Sequence, residues 1–177
     1  MAVPLDRVIQ TPRLLLRRVD PADAERFSEI QSNWNVVRML RLATFPVTVT
    51  AMRTWLAAHE DEWRTGTAHR FSVVFNDQVV GCADINEIRA GRGDLGYWFD
   101  EAVWGQGLAG EAGAALIGWG FQALGLGALG SGCASDNPAS AAVLTKLGFR
   151  RVGVESLWSN PRGEPISQLR FTRDAAG

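Results

Sequence analysis

The sequence predicts an α/β domain, and three observations predict it. Apolar runs with strand character ("RFSVVF", "QVVGCADINEI") alternate along the chain with stretches of helical spacing. Asn76-Asp77, between those two runs, is a two-residue hairpin signature. A glycine-rich turn, "WGQGLAG" at 104–110, separates a strand pattern from an alanine-rich helical one.

Taken in order, "TPRLLLRRV" (11–19) reads as the first strand. Asp20 is placed as an N-cap with Pro21 at the first helical position, where its missing N–H costs nothing, and helix follows through "PADAERFSEI". Beyond the loop around 32–35 the pattern is ambiguous. A helix then starts at a Thr48 or Thr50 cap, with Met52, Trp55, Leu56, His59 and Trp63 on one face. The hairpin comes next, then a glycine-rich turn at 90–93 leading into the strand "GDLGYWFD" (93–100). The helix after the glycine-rich turn runs to about Leu124. A short strand near 129–134, a helix near 138–147 and strands near 149–155 and 166–172 complete the chain. With no repeat, low-complexity tract or linker, a single domain over 1–177 is expected.

Composition narrows the function classes. The chain has 177 residues, 46% hydrophobic and 21% charged, which is ordinary for a globular protein. No apolar run approaches the ~18 residues of a membrane helix and the start lacks a signal-peptide core, so no membrane partner is expected. A net charge of -1 gives no polyanion-binding surface, so no nucleic acid is expected either. Lys146 is the only lysine among 18 basic residues, a compositional bias. Two cysteines, Cys82 and Cys133, without a CxxC, argue against a disulfide scaffold or a metal site and for the reducing cytoplasm.

The 104–110 turn carries the first functional signal. A helix N-terminus exposes about four unpaired N–H groups and roughly half a positive charge. Glycines ahead of it let ligand oxygens reach the backbone, so strand, glycine-rich turn and helix together suit a phosphate or pyrophosphate. "GQGLAG" fits GxGxxG formally, but it lies late in the chain after a hairpin, unlike the dinucleotide fingerprint, and GxxxxGK[ST] is absent. Tight helix–strand packing is the alternative use of such glycines.

"GYWFDEAVWGQGLAGEA" together with "DNPASAAVLTKLGFRRVG" (136–153) resembles the GNAT superfamily of acyl-CoA-dependent N-acetyltransferases. "TPRLLLR", "RFSVVFNDQVVGCADI" and "NPASAAVLTKLGF", in that order, resemble its ribosomal-protein-alanine, RimJ/RimL-like branch over about residues 10–172. The resemblance implies a mixed, largely antiparallel sheet of six or seven strands flanked by about four helices, with two parallel strands splayed at the cofactor site. It implies acetyl-CoA as cosubstrate and no metal. It places the coenzyme A pyrophosphate on the amides of Gly105, Gln106, Gly107, Leu108, Ala109 and Gly110, and the pantetheine arm along Tyr97, Trp98 and Phe99 as an added strand. Trp104 stands where relatives often carry Arg or Gln, leaving phosphate neutralisation to the backbone and nearby arginines.

Acetyl transfer from a thioester needs a deprotonated amine, a stabilised oxyanion and a protonated leaving thiol. The resemblance points to Asp94 as the base, with Asp84 and Glu87 in reserve; a turn cap is the alternative role for Asp94. Strand alternation puts Asp94, Gly96 and Trp98 on one side and Leu95, Tyr97 and Phe99 on the other. Leu144 occupies the position where many relatives have a tyrosine acid, whereas Ser140 matches the serine acid of the RimL-like branch. Ser140 could equally cap its helix, and Asn137 is expected to bond the cofactor or a neighbouring loop. His59, His69 and Cys133 read as packing residues, and Glu111 as an acid complementing a helix dipole. The acceptor groove is expected from "SNWNVVRMLR" and "WSNPRGEP", with Trp34 and Trp158 bracketing an apolar residue or packing in the core, and Arg38, Arg41 and Arg162 favouring an acidic partner. An α-amine acceptor fits best. A small-molecule amine, a non-catalytic acyl-CoA-binding domain and a module for another diphosphate are the alternatives, with homodimerisation left open.

Overall fold

The computed structural model describes residues 8–176. Its centre is a mixed sheet of eight strands: β1 (Ile9–Gln10), β2 (Leu14–Arg18), β3 (His69–Phe75), β4 (Gln78–Arg89), β5 (Arg92–Phe99), β6 (Ala128–Ala134), β7 (Arg150–Ser159) and β8 (Glu164–Asp174), in the order β1-β2-β3-β4-β5-β6-β8-β7. Every neighbouring pair is antiparallel except β5 and β6. Five α-helices are present among the described residues: α1 (Ala24–Gln31), α2 (Trp34–Val37), α3 (Val49–Thr65), α4 (Leu108–Gln122) and α5 (Pro138–Lys146). The expected six or seven strands become eight because the two-residue β1 extends the edge. The expected four helices become five because the ambiguous region forms α2.

Local chemistry sets the element boundaries. Asp20 caps a 3-10 turn at Pro21–Asp23 in a reciprocal capping box with Asp23. Asn33 caps α2 and Thr48 caps α3, while Gly66, at φ 71°, ends α3 in the left-handed conformation. Asn76 and Asp77 both take positive φ, as the tight hairpin between β3 and β4 requires.

Two cores hold the layers. Alternate residues of the strands, among them Leu16, Phe71, Val73, Ile85, Leu95 and Leu129, pack against Leu108, Ala112, Leu116 and Ile117 of α4. Here Gly120 lets α4 approach closely, since a side chain there would collide with Ile85. On the other face Phe27 of α1, Met52 and Leu56 of α3, and Cys82 form a smaller cluster beneath Trp98. No helix among the described residues is long and apolar enough to cross a membrane.

Candidate active site

The site begins where β5 and β6 part. They pair only at Arg92↔Ala128, Gly93↔Leu129 and Asp94↔Gly130. Just beyond, the Ser131 hydroxyl donates to the Leu95 carbonyl at 2.8 Å, the last tie between the two strands. The Leu95 carbonyl thus points toward β6, and strand alternation turns the backbone groups of Tyr97 and Phe99 the same way, into the gap. The Trp104 indole N–H occupies the Phe99 carbonyl at 3.0 Å. The rest of that edge is free to pair with an extended ligand. The gap widens into a cleft of about 570 Å³, in the size range of small-molecule sites. Residues from both faces of the sheet line it: Tyr97, the start of α4 and α5 on one side, Trp98 and the α2 segment on the other.

At one wall stands the start of α4. Gly105 (φ 75°) and Gly107 (φ 76°) hold left-handed conformations, and Gly107 is an N-cap that offers no side chain. The first backbone bond returning into this turn runs from Glu111 N–H to the Gly107 carbonyl, so the N–H groups of Leu108, Ala109 and Gly110 have no helical partner. A side chain added at Gly105 or Gly110 would enter open space. This backbone fits a diphosphate: converging donors, a helix dipole and no obstructing Cβ.

Arg13, from the segment leading into β2, supplies a cation the sequence reading did not name. Its Nη1 donates to the Gln106 carbonyl at 2.9 Å and its Nε pairs with Glu111 at 2.6 Å. Its Nη2 lies 3.6 Å from where a Gly107 side chain would begin. Burial works against the Glu111 charge, but hydrogen bonds from Thr11 and from the backbone and side chain of Arg13 hold this carboxyl below the usual range. Glu111 therefore fastens Arg13 as well as complementing the dipole.

The opposite wall is the start of α5. The Asn137 side chain accepts from the Ser140 N–H at 3.1 Å, so Asn137 is the cap here rather than Ser140. That fixes Ser140, whose Oγ lies 2.9 Å from the Tyr97 hydroxyl. Burial pushes the Tyr97 phenol up to about 12, with the Ser140 contact opposing. Burial likewise raises the Cys133 thiol, and Cys133 both packs in the core and lines the cleft. Leu144 is fully buried and belongs to the core.

The remaining expected residues divide. Asp94 is the last residue of β5 paired with β6, and its carboxylate accepts from Arg170 at 3.1 Å. It lies over Gly130, on the face away from Tyr97 and Ser140, and it is not among the residues lining the cleft. Asp84 is buried and held by Arg70 at 2.6 Å and by Asn86. Glu87 is exposed, at positive φ on an irregularity of β4. Arg38 lines the cleft, but Trp34 and Trp158 do not. Trp34, 44% exposed, packs at a tilt against Phe45, and Trp158, 55% exposed, projects from β7; neither is core. Arg38 and Arg162 are both engaged by Asp136, at 3.4 and 2.8 Å, so they tie the α2 segment and the β7–β8 turn together instead of presenting free charge. His69 is wedged between Trp63 and Trp119, and its pKa is pushed down to about 4 by burial and then by Arg18. His59 is likewise buried and lowered, first by burial and then by Arg70. Both are packing residues.

Residues 13–150 match the acetyltransferase (GNAT) domain family. The chain belongs to the GNAT acetyltransferase family. It is 29% identical over 176 residues to the uncharacterized N-acetyltransferase p20 of Bacillus licheniformis, covering 96% of this chain and 98% of that one. It is 34% identical over 86 residues, 48% of each chain, to the ribosomal-protein-serine acetyltransferase of Escherichia coli. Its fold superimposes with a TM-score of 0.86 at 20% identity, over 95% of this chain and 98% of the other, on RimL, a ribosomal L7/L12 alpha-N-protein acetyltransferase. That structure holds coenzyme A joined by a disulfide to a cysteine of the protein. The GNAT N-acetyltransferase is thus of the mixed α/β architecture shared by RimL-like enzymes, and the parting strands lie where its sheet is parallel.

Proposed function

We propose that this acetyltransferase, as one domain over residues 1–177, moves the acetyl group of acetyl-CoA to a primary amine by direct attack in a ternary complex. The acceptor we propose is the α-amine of a peptide or protein. The observation carrying the cofactor assignment is the side-chain-free start of α4, which opens into the cleft beside the unpaired edge of β5. The backbone from Gly105 to Gly110, flanked by Trp104 and Gln106, would hold the pyrophosphate with Arg13 beside it. The edge of Tyr97, Trp98 and Phe99 would pair with the pantetheine arm. Asn137 would act by fixing Ser140. RimL holds coenzyme A joined to a cysteine, and in this chain Cys133 and Ser140 both line the cleft that would take the cofactor.

Bound acetyl-CoA supplies the activated acyl group; the chain supplies position and proton handling. Ser140 would meet the sulfur as it leaves. Asp94, on the opposite face, would accept the amine proton through water, since the two faces meet only through the gap between β5 and β6. The cleft's lining from both faces supports a ternary complex, with cofactor on the α4–α5 side and acceptor on the α2 side. Arg38 would border that acceptor, with Trp34 and Trp158 as an exposed aromatic rim. The two buried free cysteines suit the reducing cytoplasm.

The α-amine is favoured by proton arithmetic as well as by the likeness to RimL. With a pKa of ~8, roughly a tenth is already free near pH 7, against well under a thousandth of a lysine amine near ~10.4. Peptides with a free N-terminus and no lysine, compared with N-blocked peptides containing lysine, test this directly. Acetylation confined to the blocked peptides, or to small amines, would remove the α-amine assignment.

A further inference from the structure

The proton relay usual to this chemistry draws attention to the only tyrosine in the chain. The helix position that could have carried an acid is Leu144, fully buried in the core. Across the cleft, however, Tyr97 reaches from β5 and sets its hydroxyl 2.9 Å from Ser140 Oγ. Both partners are held independently. Tyr97 is registered against Ala83 in the β4–β5 ladder, and the Ser140 backbone N–H is held by the Asn137 side chain.

We infer that Tyr97 is a positioning residue, donating its hydroxyl proton to Ser140 Oγ so that the proton of Ser140 is turned toward the sulfur of the leaving coenzyme A. This rests on the role proposed above for Ser140. A serine hydroxyl has one proton and two acceptor lone pairs. Were Ser140 to spend that proton on Tyr97, none would remain for sulfur. The Tyr97 hydroxyl lies closer to Ser140 Oγ, at 2.9 Å, than to the Ser140 carbonyl, at 3.4 Å, and a phenol is the stronger donor and weaker acceptor of the two hydroxyls, which favours donation from Tyr97 to Ser140 Oγ.

In the step itself the amine nitrogen bonds to the thioester carbon, the C–S bond breaks and its electron pair leaves on sulfur. The amine gives one proton to water by way of the base, and one proton from water ends on sulfur. Ser140 hydrogen-bonds to the departing thiolate while Tyr97 hydrogen-bonds to Ser140 Oγ; both keep their own protons, so none is consumed.

The test combines Tyr97→Phe and Ser140→Ala, singly and together, with kcat read from released thiol and acetyl-CoA affinity from calorimetry. Losing one orienting hydrogen bond should lower kcat about tenfold in Tyr97→Phe, leave affinity within about twofold, and have no further effect in the Ser140→Ala background. Ser140→Thr, which keeps a hydroxyl, should keep the sensitivity to Tyr97→Phe. Wild-type kcat in Tyr97→Phe, or an equal loss in both backgrounds, would overturn the inference while leaving Ser140 in place. Wild-type kcat in a Ser140→Ala protein that binds acetyl-CoA would remove the Ser140 role itself, and the inference with it. Because Tyr97 is the sole tyrosine, growth on 3-fluorotyrosine modifies this site alone and covers the case in which Tyr97→Phe does not fold. The more acidic phenol is a stronger donor and should shift kcat in the wild type but not in Ser140→Ala; an unchanged kcat in the wild type counts against the inference.

Discussion

The two helices that frame the cleft begin in opposite ways. α4 starts at Gly107, in a left-handed conformation with no side chain to satisfy the first N–H groups. α5 starts at Asn137, whose side chain accepts from Ser140, with Pro138 in the first turn. Both starts face the same cavity. Capping is worth ~1 kcal/mol, so α4 forgoes stabilisation that α5 takes. The difference separates two tasks. An open start can lend its N–H groups to an anion, whereas a capped start spends them on itself and gains a fixed first turn. One helix is built to hold a charge and the other to hold a hydroxyl still.

The largest effects should follow from emptying the capped side of its hydroxyl. Proton-handling groups are typically worth ~10²–10⁴ in rate, so Ser140→Ala should lower kcat by about that range with acetyl-CoA affinity nearly unchanged. Asp94→Asn should do the same if Asp94 is the base. Wild-type turnover across the accessible pH range would leave it only its ion pair with Arg170 and its place at the end of the β5–β6 ladder.

Next comes conversion of the open start into an occupied one. Gly107→Asn and Gly107→Val both put atoms where the proposed phosphate oxygens lie, and each should weaken acetyl-CoA at least about tenfold, or 1.4 kcal/mol. They should part company in stability. Asparagine tolerates the left-handed conformation at φ 76°, while a β-branched valine there is strained by roughly 1–2 kcal/mol or more. Calorimetry alongside thermal melts reads both quantities. Undiminished affinity in a folded Gly107→Asn protein would mean that the glycine serves the turn alone.

Removing the cap of α5 is milder. Asn137→Ala should cost about 1 kcal/mol, a shift of roughly 2–4 °C in melting temperature for a chain of this size. It should also reduce kcat more than it reduces acetyl-CoA affinity, because the cap anchors Ser140. A change in stability alone would make Asn137 an ordinary cap.

The sequence made this contrast half visible. Glycines ahead of α4 and Asn-Pro ahead of α5 are local signals, and local signals gave the hairpin at Asn76-Asp77, a threonine cap at 48 or 50 (the structure uses Thr48) and most strands in their succession along the chain. Pieces decided by tertiary contact were out of reach. α2 is a single turn set by its Asn33 cap and by docking of Val36 and Val37, which a four-residue window cannot announce. Arg13 and Glu111 lie 98 residues apart, so nothing in either segment marks them as partners. Tyr97 was read through its backbone, since strand periodicity assigns a face but not what the ring will reach across a cleft. The same gap explains the arginines. Arg38 and Arg162 looked free for an acidic partner, but Asp136, in the turn before α5, takes both.

Arg13 gives the smallest and most discriminating prediction. Its guanidinium is fairly exposed, and exposed ion pairs rarely contribute more than about 1 kcal/mol, so Arg13→Gln should weaken acetyl-CoA by no more than roughly fivefold. The signature lies in the salt dependence. The backbone donors of α4 contribute partial charges that act within the first turn, whereas Arg13 adds a full charge that salt screens over about 10 Å at 0.1 M. Affinity in the wild type should therefore fall as salt is raised, and Arg13→Gln should flatten that slope. Glu111→Gln removes the carboxylate that fastens Arg13 yet leaves the cation, so it should weaken affinity less and keep most of the slope. Equal slopes in the wild type and Arg13→Gln would confine Arg13 to bracing the Gln106 carbonyl. The open start of α4 would then hold its anion with backbone alone.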